Sequence, residues 1–348
     1  MRELDRIVQA LAAARERGEP AMLVTVLGVQ GSVYRGAGAR MVVTHDGLTE
    51  GAVSGGCLEA DIAARAPGVI AARTPEVIQY DTRASDDALL GLGLGCQGVI
   101  DLLLEPLKGQ QLVDAIAFYG RLAGHRQPVQ LITATKTHGD IAIGTRAVLS
   151  EKGALLDGSH SLAANDPSEA WIARESIRPA VPLIICGGGA DAIPLSRLAR
   201  TMGFDVTVVD HRPIFATSQR FPDATRVLHV HVADDPSSLS RAATLDANTV
   251  AVVMAHSATH DRAYLHAMLD AGAGYIGVLG PRRRTTELLG SRFNGGLPPN
   301  VHSPVGIDIG AETPDEIALS IVAEIQAAIT GRPGGMLRDR PGPIHERR

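Results

Sequence analysis

The chain has 348 residues, 45% hydrophobic, with 38 glycines and a formal charge of −5, a length that predicts two domains each able to bury its own core. The acidic balance excludes general nucleic-acid binding, which needs a basic surplus, and 3% aromatic residues leave no base-stacking platform. No run is long and apolar enough for a membrane span, the charged stretch Met1 to Arg6 lacks the apolar run expected of a signal peptide, and three cysteines, Cys57, Cys96 and Cys186, suit a reducing cytoplasm.

Leu4, Ile7, Val8 and Leu11 repeat at the helical period, and Gly18 and Pro20 end that helix. A β-rich run over 21–29 gives way to the glycine-rich loop 30–38, followed by a strand at 40–44, a turn at 45–47 and a strand at 48–53. Ser54-Gly55-Gly56 then leads into a helical pattern that starts at Cys57 and runs to Ala66, where Pro67-Gly68 breaks it. A strand at 77–81, a polar loop and a second glycine-flanked thiol, Gly95-Cys96, precede the apolar strand 99–104. A helix near 109–123 and strands at 128–135 and 141–149 complete a mixed α+β domain over 1–165, with 166–180 as the link.

From 181 the pattern becomes α/β, predicting a Rossmann-like, doubly wound parallel sheet over 181–330. The strand Pro182–Cys186 runs into Gly187-Gly188-Gly189-Ala190-Asp191-Ala192, then a helix, then a strand ending at Asp210. This is the G-x-G-x-x-A arrangement of a dinucleotide site, with an acidic residue at the expected distance. Strands at 249–254 and 275–279 alternate with helices, and the last helix, Pro314 to Thr330, has Thr313 as N-cap and Glu316 at N3. Residues 331–348, rich in Pro, Gly and Arg, read as a disordered tail.

Candidate chemistry gathers in two places. A thiol in the first turn of a helix meets free N–H groups and the positive dipole end, which favour the thiolate; Cys57 reads equally as such a group or as a buried cysteine in a tight turn. Cys96 has the same local grammar, and two such thiols suggest a soft-ligand or sulfur-handling site, while Cys186 reads as core. In the second domain Gly187 and Gly189 offer backbone N–H groups to a phosphate, and Asp210 a ribose acceptor. His211-Arg212 can reach a phosphate or stay solvated, and His256 and His260 follow a strand's carboxyl end, where Thr259 or Asp261 caps the next helix. Arg282-Arg283-Arg284 reads either as an anion site or as an exposed charge run, and Asp308 and Glu312 as turn residues.

Gly31-Ser32, Gly38-Ala39-Arg40-Met41, Ser54-Gly55-Gly56-Cys57-Leu58-Glu59 and Gly95-Cys96 resemble the N-terminal region of the XdhC/CoxI family. Val208 through Pro213, Tyr275-Ile276-Gly277 and Pro304 through Ala318 resemble its C-terminal Rossmann domain. The resemblance implies a xanthine dehydrogenase accessory factor, dimeric and cytoplasmic rather than an enzyme. Such a factor binds molybdenum cofactor (molybdopterin), protects it during sulfuration by a cysteine desulfurase and delivers it to a molybdenum hydroxylase. On that basis Gly55, Gly56, Cys57, Glu59, Cys96, Gly187, Gly189 and Asp210 are the expected cofactor-binding residues, with Cys57 nearest the metal. One departure stands out: members of the family commonly carry Gly-Ala-Gly-His where this chain has Gly187-Gly188-Gly189-Ala190. The alternatives from other classes are an NAD(P)-dependent oxidoreductase, with Cys57 or His256 at the substrate, and a ligand-free scaffold.

Overall fold

Residues 2–81, 97–166, 168–292 and 295–340 are described by the computed structural model. The chain divides into two units, Met1–Pro179 and Ala180–Arg348. The first unit opens with helix α1 (Arg2–Glu16), which buries Leu4, Ile7, Leu11 and Ala14 along one stripe. Strand β1 (Ala21–Ser32) follows, then β2 (Arg40–Thr44), β3 (Thr49–Gly51), α2 (Glu59–Ala72), β4 (Glu76–Asp81) and β5 (Gln97–Leu107). These strands form an antiparallel sheet in the order β3-β2-β1-β5-β4. Helix α3 (Gln110–Ala123) leads to β6 (Val129–Ala134), β7 (Arg146–Ser150), β8 (Leu155–Gly158), the short α4 (His160–Ala163) and β9 (Ile172–Ile177). They make a second antiparallel sheet in the order β8-β7-β6-β9.

Two sequence expectations change here. Pro67 does not break α2, because the buried stripe Ile62, Ala66 and Val69 continues through it; the helix ends instead at Arg73, in the left-handed conformation. The link expected at 166–180 contains β9, which pairs with β6 from Val129↔Ile177 to Ala134↔Ile172. Its polar centre, Arg174-Glu175, hides the strand from a hydrophobicity reading. Cys96 lies outside the described residues.

Glu175 is polar for a reason. Its carboxylate binds Arg40 of β2 at 2.5 and 2.9 Å, tying the two sheets of this unit together, and a Cβ at Gly38 would run into it. A second pair, Arg146 of β7 with Glu105 of β5, does the same. Both guanidiniums lie over the buried ring of Tyr119, at 5.0 and 5.4 Å from its centroid.

The second unit runs β10 (Pro182–Cys186), α5 (Ala192–Met202), β11 (Asp205–Asp210), β12 (Arg226–His229), α6 (Ser238–Ala242) and β13 (Val250–Val253). It continues with α7 (Ala258–Asp270), β14 (Tyr275–Val278), α8 (Arg282–Leu289), β15 (Val301–His302) and α9 (Pro314–Thr330). The six strands are parallel in the order β12-β11-β10-β13-β14-β15, the Rossmann order, with its switch point between β10 and β13. Leu183 and Ile185 face α5 and α9, whereas Ile184 and Cys186 face α7 and α8, so the sheet is covered on both sides. The capping box of Thr313 and Glu316 forms as the sequence predicts. Strand β12, exposed at both ends, carries no sequence signal, and the tail includes a 3₁₀ turn at Leu337–Asp339.

Glu175→Ala leaves Arg40 buried without its partner and is expected to cost about 3 kcal/mol in chemical denaturation. Arg121→Ala, in the exposed pair with Asp157, is expected to change stability by no more than about 0.5 kcal/mol. Similar losses in the two variants would contradict the role given to the Arg40–Glu175 pair.

Candidate functional site

The chain leaves β3 at Gly51 and bends through 52–58 before α2 begins. Leu58 is the N-cap residue, and its carbonyl accepts the first helical bond, from Ile62. Cys57 therefore stands one residue before the cap, and the helix-dipole argument made from sequence for a first-turn thiol does not apply to it. Ser54 organises the bend instead. Its hydroxyl accepts from the backbone N–H of Gly56 and of Leu58, each at 3.2 Å, and from the Cys57 thiol at 3.5 Å. The same hydroxyl donates to Glu59, whose carboxylate also accepts the N–H groups of Val53 at 3.1 Å and Ser54 at 2.7 Å. Burial raises the Glu59 pKa, but these hydrogen bonds outweigh it and hold the carboxyl below its ordinary value.

Glu59, expected at the cofactor, is thus the anchor of the loop. Gly56 sits at φ +106° with open space around it, a conformation that needs glycine. Gly55 has an ordinary φ and lies against the ring of Tyr34, which is 73% exposed. Cys57 is half-buried, packing on the cluster of Val53 and Leu58 while keeping part of its surface in solvent. The loop can hold a soft sulfur at a fixed position and leave it reachable.

The glycine turn of the second unit is built differently. Gly187, at φ +122°, has no room for a Cβ, which would meet the backbone of Ala255 at 2.6 Å. Its N–H is bonded to Val209, and the N–H of Gly188 donates to Asp210 at 2.6 Å. Gly189 has space around it, its nearest neighbour being the His256 ring. Asp210 is completely buried. Besides Gly188 it accepts the Arg212 backbone N–H at 2.8 Å and the Arg212 guanidinium at 2.8 and 2.9 Å. Burial pushes its pKa up, but Arg212 and the two N–H groups prevail and hold it at about 2.

Several other expected roles shift. Asp261 is not a cap: buried, it accepts the N–H of Ala255 at 2.8 Å and pairs with Arg284. Arg284 is accordingly part-buried and tied to Asp261, unlike the exposed Arg282 and Arg283 beside it. His260 hydrogen-bonds Ser257 through Nδ1 at 3.0 Å, and its ring stacks on His211 at 3.5 Å; His256 lies 3.4 Å from Asp191. Sequence reasoning missed the His211–His260 stack, and only the adjacency of Asp210 and Arg212 hinted at the pairing of those two. Cys186 is core as expected, its thiol pKa raised by burial. Gly55, Gly56, Cys57 and Glu59 come together in one unit and Gly187, Gly189 and Asp210 in the other.

Residues 14–81 match the XdhC and CoxI family, and residues 183–325 match the XdhC Rossmann domain. The chain is 33% identical over 322 residues to a Bacillus subtilis protein whose name makes it a probable xanthine dehydrogenase subunit, covering 90% of this chain and 95% of that one. The chain belongs to the XdhC and CoxI family. Another relative, from Escherichia coli, is named molybdenum cofactor insertion chaperone PaoD and is 27% identical over 92% of this chain and 86% of its own. A crystal structure of a Bacillus halodurans protein named xanthine dehydrogenase superposes with a TM-score of 0.78 at 32% identity, covering 93% of this chain and 96% of that chain. The XdhC match includes both the Ser54–Glu59 loop and the glycine turn, so each candidate site lies within the family's shared sequence.

Two measurements test these sites. Glu59→Gln loosens the loop, and Cys57 is expected to be alkylated several-fold faster by iodoacetamide, scored by mass spectrometry with buried Cys186 as the slow reference; an unchanged rate contradicts the anchor. For Asp210 the folded pKa lies below the unfolded value of 3.8. Its contribution is therefore present above that value and lost as pH falls through about 2. Asp210→Asn is expected to flatten the pH dependence of stability in that window, measured by denaturation at a series of acid pH values.

Proposed function

We propose that this XdhC/CoxI chain is a maturation factor rather than a catalyst, carrying molybdenum cofactor as cargo to a xanthine dehydrogenase-type hydroxylase. Two relatives support this reading by their names, one placing its bearer with xanthine dehydrogenase and the other naming an insertion chaperone; a carrier accounts for both. The observation that carries it is the half-buried Cys57 thiol on a loop fixed by Ser54 and Glu59.

Among the described residues no three His, Cys, Asp or Glu side chains come together to hold a metal ion. A metal carried through its pterin needs few protein donors, and Cys57 offers one soft contact at the molybdenum or its exchangeable sulfur. Gly56 leaves the loop backbone open to such a ligand beside Gly55 and the Tyr34 ring, and Cys96 is a second candidate thiol. Sulfuration by a cysteine desulfurase before delivery, and a homodimeric carrier in the cytoplasm, complete the proposal. No helix among the described residues is long and apolar enough to cross a membrane.

Protein purified from molybdenum-replete cells is expected to contain molybdenum, by elemental analysis, and pterin, by fluorescence after oxidation, in equal amounts. Cys57→Ala is expected to retain at least about tenfold less and to activate the hydroxylase correspondingly poorly, a difference of about 1.4 kcal/mol. Parent-like retention and activation by Cys57→Ala would remove the thiol from the mechanism. Parent protein free of both molybdenum and pterin, yet still needed for activation, would point to a ligand-free scaffold.

A further inference from the structure

A Rossmann sheet with a glycine turn and an acidic residue at the end of its second strand implies an adenine dinucleotide, whose ribose hydroxyl that acid accepts. The residues here do not fit it. A carboxylate has about four lone-pair positions, and those of Asp210 are filled: Oδ1 by the N–H and Nε of Arg212, Oδ2 by the N–H of Gly188 and a terminal nitrogen of Arg212. The acid is completely buried, so a ribose would have to remove the guanidinium before reaching it.

Arg212 is itself held down. Its guanidinium lies 4.1 Å from the centroid of the Phe215 ring, and Phe215 presses on the turn so closely that a Cβ at Gly188 would come within 2.8 Å of its carbonyl oxygen. Arg220 lies 4.9 Å from the same ring and donates through Nε to the Gly188 carbonyl at 2.9 Å. Asp210, Arg212, Phe215, Arg220 and Gly188 thus form a closed ring of contacts, with Gly188 joined back to Asp210.

The geometry points to a Rossmann unit whose ribose-reading acid is closed by its own chain, so that the protein rejects NAD(H) and NADP(H) as ligands. Arg212 makes a poor NADP ligand, because Asp210 already takes its Nε and one Nη and offsets its charge, leaving only the remaining Nη N–H groups for a 2′-phosphate. This selectivity is independent of cofactor carriage at Cys57 and stands or falls separately from it.

The full chain is titrated with NADH and NADPH by fluorescence and with NAD⁺, NADP⁺ and ADP-ribose by calorimetry. No saturable binding tighter than about 1 mM is expected; binding of any of the five at micromolar concentration overturns the proposal, whatever the variants do. The double variant Arg212→Ala, Phe215→Ala uncovers Asp210, and ADP-ribose binding at least about tenfold tighter than the parent's limit is expected. Adding Asp210→Asn is expected to abolish that gain. A double variant with parent-like circular dichroism and no gain overturns the assignment of the closure to this ring.

Discussion

A carboxylate withdrawn from water must find N–H donors, and this chain fixes several of its loops by giving buried and half-buried acids backbone amides to hold. Glu59 takes the amides of Val53 and Ser54 and so sets the bend that carries Cys57. Asp210 takes those of Gly188 and Arg212, Asp261 that of Ala255, and Glu324 that of Gly306. In each case the acid lies near the amides in sequence or on a neighbouring element, and the loop between them has no freedom to reorganise without exposing an unpaired charge. Side-chain acids thus do in these loops what strand pairing does in the sheets.

The same device has opposite consequences in the two units. At Glu59 the acid binds the backbone on the inner side of the bend, and the neighbouring thiol stays partly in solvent. At Asp210 the acid is also claimed by a side chain, Arg212, and the group that would read a ligand becomes a structural one. A resemblance of fold therefore says little about ligand in the second unit, where the deciding contacts come from residues 212–220 rather than from the glycine fingerprint.

Much of the architecture was legible in the chain. The βαβ unit around Gly187, the capping box at Thr313 and the stripe of α1 all follow from period and cap chemistry, which depend on nearby residues. β9 was not legible, because Glu175 is polar for a partner 135 positions away in the chain, and no local rule reports that. The helix through Pro67 was missed for a related reason: a buried stripe on both sides outweighs one lost hydrogen bond. At the sites, the Gly-Gly-Cys stretch correctly marked a tight bend presenting a thiol. The internal partners of Glu59 and Asp210 were not legible, because sequence shows that an acid is present and not how many donors already surround it.

The ring around Gly188 also bears on motion. Two amides, those of Gly188 and Arg212, donate to one carboxylate, while the guanidinium of Arg212 donates to the same carboxylate and Arg220 donates to the Gly188 carbonyl. Neither amide can reach water by a small local fluctuation that leaves the other in place, since releasing Asp210 frees both. Their hydrogens should exchange with solvent at a common free energy, as one cooperative opening unit rather than as two frayed loop positions.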